Sequence, residues 1–209
     1  ELFIQQSPAC IRYCRSKHGN MPDIYEKGSE VAKKTMEERL VASIPIEASN
    51  SADMYVDADF AGDPNTRRST SGMVIILNQG PISWWSRIQK LCAQSSTESE
   101  IYAATESVKE AIHIKLLCEE SGIRVSNNPI VIWEDNNACI QMGHGLRGSK
   151  SAKHYEIRLR FLNEHILNKT IEFARIDTKD QLADGFTKAL KEQAFFAFRG
   201  KLLKPPFRQ

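Results

Sequence analysis

Five acidic side chains are the residues best suited to chemistry. Asp57 and Asp59 stand in Met54-Tyr-Val-Asp-Ala-Asp-Phe-Ala-Gly62, a short apolar stretch, and Glu100, Asp135 and Asp184 follow at wide intervals. A carboxylate inside an apolar strand is expensive to bury unless something cationic meets it. Asp57, Glu100, Asp135 and Asp184 have no matching cluster of lysines, and brought together in a cleft they would repel one another. Two divalent cations about 3.5–4 Å apart would remove that repulsion and create a hydrolytic reagent. Oxygen donors suit two Mg²⁺ ions, with Mn²⁺ as a substitute. Singly, each acid has an ordinary role. Asp135 is a ready helix N-cap, Glu100 the glutamate of a capping box begun by Thr97, Asp184 a first-turn helix acid, and Asp59 a turn acid or a support for Asp57. Only convergence distinguishes them, so the elements that carry them decide.

Periodicity and turn residues predict those elements. Strand one covers about 54–60, strand two 72–77 and strand three 82–86, joined by a polar connector and by the turn Asn78-Gln-Gly-Pro81. A helix over about 98–121 stops at Gly122, with Ile101, Ala104, Val108, Ile112 and Leu116 at helical spacing. Strand four, 129–133, is an unbroken apolar run suited to a central position. A short helix to about Met142, a Gly-rich linker over 143–151 and an amphipathic helix over 152–168 (Ile157, Phe161, Leu162, Ile166) follow. Strand five is 170–176, and a last helix carries Asp184. A meander followed by β-α-β crossovers makes an α/β fold, a mixed five-stranded sheet flanked by helices, with strand four parallel to strand one. That arrangement brings all four acids to one sheet end. Asp59 shares a face with Asp57, Phe60 belongs to the core, and of Trp84 and Trp85 one is core and the other partly buried.

Several short motifs fall in one order. They are Tyr55-Val-Asp-Ala-Asp-Phe-Ala-Gly62, Arg67-Arg-Ser-Thr-Ser-Gly72, Ile82-Ser-Trp-Trp-Ser86, Ser95-Ser-Thr-Glu-Ser-Glu-Ile-Tyr102, Trp133-Glu-Asp-Asn-Asn-Ala138 and Leu182-Ala-Asp-Gly-Phe-Thr-Lys188. Together they resemble the ribonuclease H domain of a copia-type (Pseudoviridae) LTR retrotransposon Pol polyprotein. The resemblance implies a ribonuclease H-like fold over residues 53–190. It implies an endonuclease that hydrolyses the RNA strand of RNA–DNA hybrids during reverse transcription, leaving 5′-phosphate and 3′-hydroxyl ends. It also implies metal-binding, catalytic roles for Asp57, Glu100, Asp135 and Asp184; Glu98, two residues before Glu100 on a helix, cannot share its face. By analogy with the fold, main-chain groups near Ala58, Asn136 and Asn137 read the hybrid, whose RNA strand is distinguished by its 2′-hydroxyls. Cellular ribonucleases H carry a histidine before the last helix; Asp177-Thr-Lys-Asp-Gln-Leu-Ala183 has none, which leaves His144 or His154 as a replacement in product release, or no histidine at all. A non-catalytic, domesticated or decayed nucleic-acid-binding module is the alternative; the presence of all four acids argues against it.

Hydrophobic content of 41% and charged content of 26% are those of a globular chain of 209 residues, and a net charge of +2 leaves nucleic-acid binding to local charge. Arg147, Lys150, Lys153, Arg158, Arg160, Lys169 and Arg175 outnumber three glutamates between His144 and Arg175, which suits a phosphate backbone or a solvated helix face. Arg67 and Arg68 are a turn pair or a phosphate clamp. No run of about 18 apolar residues suggests a membrane span, and no secretory signal is visible. Residues 1–52 read as a connecting segment that follows a reverse transcriptase in the same polyprotein, and 191–209 as a C-terminal helix or tail. Cys10, Cys14 and His18 share a helix face without a closed zinc set, and the five cysteines read as free thiols. The expected setting is intracellular, a cytoplasmic virus-like particle.

Overall fold

A computed structural model describes residues 50–123, 125, 129–145 and 155–203. The expectations for the N-terminal helix with Cys10, Cys14 and His18, and those for Arg147, Lys150, Lys153 and His154, lie outside these residues. Five strands alternate with helices: β1 (Ala52–Asp59), β2 (Thr70–Leu77), β3 (Gly80–Ile88), α1 (Ser96–Glu120), β4 (Ile130–Glu134), α2 (Asn137–Gly143), α3 (Glu156–Leu167) and β5 (Ile171–Arg175). A 3₁₀ turn (Thr178–Asp180), the single-turn helix α4 (Asp184–Thr187) and α5 (Glu192–Leu202) complete the described chain. The strand order is β3-β2-β1-β4-β5. β1 pairs antiparallel with β2 and parallel with β4, so the α/β architecture and the predicted neighbours of β1 are those observed.

Alternation along β1 assigns the two faces of the sheet. Met54 and Val56 point into a core with Ile75, Ile101, Ala104, Val108, Ile132, Leu162 and Phe173, which is the α1 side. Tyr55 points the other way, toward a smaller cluster of Val74, Phe186 and Leu202 built by β2, α4 and α5. Trp85 is buried on the first side and Trp84 is partly buried on the second. α5 therefore packs on the sheet through Leu202 and Phe198 instead of trailing from it. Two glycines allow the layers to approach. A Cβ on Gly72 would lie 2.8 Å from Phe186 Cβ and from Thr187 Cγ2, and one on Gly185 would lie 2.5 Å from the Phe198 ring.

Local chemistry sets the helix ends. Ser95 caps α1 by accepting from Glu98 N–H, and Glu98 Oε2 accepts from Gln94 N–H at 2.7 Å. The capping pair is thus Ser95 with Glu98, two residues ahead of the expected Thr97 with Glu100. Gly122 closes the helix at φ +72, with Ile123 N–H donating to Cys118 O. Three apolar expectations fail. Phe60 is 42% exposed because it follows the last strand residue, and Leu116 and Ile157 are 51% and 83% exposed because they lie off the buried faces of α1 and α3.

Candidate active site

The site opens where β1 and β4 part. Their pairing runs only from Asp53↔Val131 to Tyr55↔Trp133. Beyond it, Gln181 Nε2 spans the gap, donating to Val56 O at 2.9 Å and to Trp133 O at 3.2 Å. Carboxylate oxygens of Asp57, Glu100 and Asp135 lie within 4.8 Å of one another there. The carboxyl ends of parallel strands are where open α/β sheets present their sites.

Each acid arrives from a different element. Asp57 lies on β1 opposite Gly72 of β2, and with no side chain at Gly72 α4 settles beside it. Thr187 Oγ1 of α4 donates to Asp57 Oδ2. Glu100, freed from capping by Glu98, sits in the first turns of α1 and accepts from the Ala58 N–H. Asp135 follows the last residue of β4, and Thr178 Oγ1 donates to its Oδ2 at 2.7 Å. Asn136, and not Asp135, is the N-cap of α2, accepting from Ala138 and Cys139 N–H, which leaves the Asp135 carboxylate to the cluster. Asp184 is the first residue of α4 and stands outside the three-acid group, its Oδ1 paired with Lys188 Nζ at 2.7 Å. It is near enough for its charge to oppose ionisation of Asp57.

The electrostatics are those of acids without enough cations. Burial, joined by the charges of Asp184 and Asp135, raises Asp57 to about 6 against the relief given by Thr187 and Lys188. Burial, then the charges of Glu134, Asp57 and Asp135, pushes Glu100 well above the usual carboxylate range, and the Ala58 N–H only partly offsets this. Glu100 Oε2 is buried without a hydrogen-bond partner among the described residues. A converging all-oxygen set with an orphaned carboxylate oxygen fits a hard divalent cation, and a cation would reverse these shifts. Asp57, Glu100 and Asp135 would hold it, with Asp184 at the margin.

The expected nucleic-acid contacts divide. Ala58 N–H is engaged by Glu100, and Asn136 donates its N–H to Glu134 Oε1 at 3.0 Å while its side chain caps α2, so neither amide is free to read a hybrid. Asn137 is exposed. Arg158 is engaged within the protein. Its guanidinium lies 3.3 Å from Glu106 Oε1 and 3.7 Å from the Tyr102 ring centroid, where α3 meets α1. Arg160 pairs with Glu156. Arg67 and Arg68 are exposed and make no ion pair among the described residues, and the same holds for Arg87 and Lys90 at the end of β3. These four lie side by side, since Gln89 N–H donates to Ser69 O at 2.8 Å, at the sheet end where Asp59, Thr70 and Ile88 are in register.

Sequence reasoning passed over Glu134, Gln181, Thr187 and Lys188. The signal for Glu134 was its parity with Ile130 and Ile132 on the inward face of β4. The signal for Lys188 was its i,i+4 spacing from Asp184. Nothing local marks Gln181, which bridges two strands distant in sequence.

No protein-family profile matches the chain. It is 33% identical over 141 residues to the retrovirus-related Pol polyprotein from transposon TNT 1-94 of Nicotiana tabacum, a match covering 68% of this chain and 10% of that protein. It is 34% identical over 148 residues to the corresponding polyprotein from transposon RE1 of Arabidopsis thaliana, covering 71% and 10%. The chain thus spans about a tenth of the length of these curated relatives. Among solved structures, LC11-RNase H1 in complex with an RNA/DNA hybrid superposes with a TM-score of 0.50 at 11% identity, covering 66% of this chain and 94% of that one. At that identity the likeness speaks for the fold, while the polyprotein matches speak for descent. The chain's homologues over about 70% of its length are thus Pol polyproteins from copia-type transposons, and its described domain has the ribonuclease H fold.

Proposed function

We propose that this chain is a metal-dependent endonuclease that cuts the RNA strand of RNA–DNA hybrids. The observation that carries the proposal is the convergence of Asp57, Glu100 and Asp135 within 4.8 Å, with Glu100 Oε2 buried and unpartnered. Two divalent cations, Mg²⁺ or Mn²⁺, would supply an activated water and neutralise the departing 3′-oxygen. The chain's own residues do the positioning. Asp57, held by Thr187, would hold the cations from β1. Glu100 and Asp135 would hold them from the α1 and β4 sides. Asp184 would contribute from α4 if its carboxylate left Lys188. The products carry 5′-phosphate and 3′-hydroxyl ends.

The substrate reading draws on LC11-RNase H1, whose solved complex contains an RNA/DNA hybrid, and on the exposed cations Arg67, Arg68, Arg87 and Lys90 beside the site. Each cation that neutralises a phosphate releases a counterion on binding, so these four would track the backbone and make affinity salt-dependent. In the full polyprotein we place the nuclease domain at residues 53–190, behind a reverse transcriptase and the connecting segment 1–52, with 191–209 as a C-terminal element. The expected setting is the intracellular particle in which reverse transcription runs.

The test is cleavage of a labelled hybrid with Mg²⁺ by the wild type and by Asp57→Asn. Mg²⁺-dependent cutting of the RNA strand that Asp57→Asn abolishes supports the reading. Absence of cutting at any protein concentration sinks the activity, and equal cutting of duplex DNA sinks the substrate assignment. The Asp184–Lys188 ion pair favours a second reading, a module that binds nucleic acid without cutting it. Under that reading hybrid affinity would survive Asp57→Asn and no metal dependence would appear.

A further inference from the structure

The last residue of β4 is a puzzle in burial. Ile130 and Ile132 point into the core, and the next residue on that face is Glu134, which is fully buried. An apolar side chain would fill this position at far lower desolvation cost. The proposed catalytic roles leave Glu134 unused, so its presence calls for a physical reason.

Its contacts supply one. Glu134 Oε1 accepts from the Asn136 N–H at 3.0 Å, and the carboxyl group also draws on the Asp135 N–H. The Glu134 carbonyl accepts from Ile176 N–H at 3.1 Å, which ties the residue to the chain beyond β5. Asn136 repeats the pattern one step on, taking the N–H groups of Ala138 and Cys139 to start α2. Glu134 faces inward and bonded, Asn136 is bonded as the cap, and Asp135 between them is thrown outward against Asp57 and Glu100. The other side-chain bonds nearby are the Asn136 cap on α2 and, one residue before Glu134, Gln181 Nε2 donating to Trp133 O, and neither engages the Asp135 or Asn136 N–H. Thr178 steadies the Asp135 carboxylate from the solvent side only.

We infer that Glu134 is a positioning residue, whose buried carboxyl oxygen clamps the β4–α2 turn and aims Asp135 at the metal site. The inference rests on the reading of Asp135 as a metal ligand. Residues behind metal ligands change affinity by about 10–100-fold when removed, which sets the size of the effect.

The test compares Glu134→Gln, which keeps an acceptor oxygen of the same reach, with Glu134→Met, which keeps the volume without it. Asp135→Asn is the reference. Mn²⁺ binding is titrated calorimetrically without nucleic acid, thermal melting checks folding, and hybrid cleavage is measured alongside. Glu134→Gln should retain Mn²⁺ affinity within about threefold, while Glu134→Met, though folded, should lose about 10–100-fold, with kcat falling and KM for the hybrid unchanged. Wild-type Mn²⁺ affinity in Glu134→Met overturns the inference. So does a loss in Glu134→Gln as large as that in Asp135→Asn, which would make the carboxylate itself a ligand. A failure of Glu134→Met to fold leaves the Gln arm to decide on the same criterion. A wild type that binds Mn²⁺ through Asp135 but cuts nothing would refute the nuclease reading and leave the positioning role standing.

Discussion

The two sides of the site handle charge in opposite ways. On the α1 side, Glu100 and Glu134 are buried, and each has one carboxyl oxygen without a hydrogen-bond partner among the described residues. On the α4 side, Asp184 is partly exposed and has its own cation, Lys188, at 2.7 Å. Asp57 lies between them, opposed by charges from Asp184 and Asp135 and relieved by Thr187 and Lys188. Burial raises the penalty on a carboxylate and also strengthens its attraction for an arriving cation, whereas an exposed ion pair contributes little and exchanges readily. The α1 side is therefore organised to demand a cation, and the α4 side is self-satisfied until one displaces Lys188.

This contrast can be broken, most severely at the shared acid. Asp57→Asn should abolish Mg²⁺-dependent cleavage, a loss of about a thousandfold or more, because it would remove the central acid proposed to hold the cations. Asp184→Asn should retain measurable activity under the same assay. Equal losses in the two variants would show that the asymmetry disappears once metal binds.

A pH series of the metal-free protein probes the buried side. Glu134 is raised from its ordinary 4.5 to about 8, mainly by burial, and Asp57 from 3.8 to about 6, also mainly by burial. Each native carboxyl holds its proton over a range where the unfolded one has lost it. Stability from the protonated forms is therefore fully present below about pH 4 and is lost as pH rises to about 8. In chelator, the melting temperature should fall across that window, with a total on the order of a few kcal/mol. Glu134→Gln should flatten the upper part, above the range of Asp57, and saturating Mg²⁺ should suppress the decline. A melting temperature that rises with pH over this range would contradict the assignment.

Gly72→Ala tests the layer that carries the exposed side. The added methyl would lie 2.8 Å from Phe186 and Thr187, so α4 must shift. Overpacking of this kind costs about 1–3 kcal/mol, read as a lowered melting temperature, and cleavage should fall with it because Thr187 loses its register on Asp57. The smallest effect is expected from Lys188→Met. Its pair is 45% and 22% exposed, so stability should change by less than about 1 kcal/mol. Calorimetry should show the freed Asp184 tightening Mn²⁺ binding by a few-fold; weaker binding would mean that Lys188 supports the bound state.

Much of this was legible in order and type. Turn residues and alternation foretold three antiparallel strands, then crossovers, and thereby the neighbours of β1. The motifs marked Asp57, Glu100 and Asp135, which the fold brings together. Cap assignments were less legible, because Ser95, Ser96 and Thr97 all suit an N-cap, and the bonds that separate them, Glu98 N–H to Ser95 and Gln94 N–H to the Glu98 carboxylate, appear only in the folded backbone. Within the predicted basic segment, one residue shows how surroundings alter a charge. Arg158 counts as a positive charge in the sequence, but its surroundings are Glu106 and Tyr102.

The sequence by itself determined which residues carry charge, which stretches alternate and where turns fall, since those depend on neighbours a few positions away. Only the tertiary structure decided that three acids meet, that Asp184 rests on Lys188, that Gly72 admits α4, and that an inward acid at Glu134 holds the turn bearing Asp135. Those outcomes depend on burial and on contacts between distant segments, and the same carboxylate is a solvated side chain or a cation-seeking one according to what surrounds it.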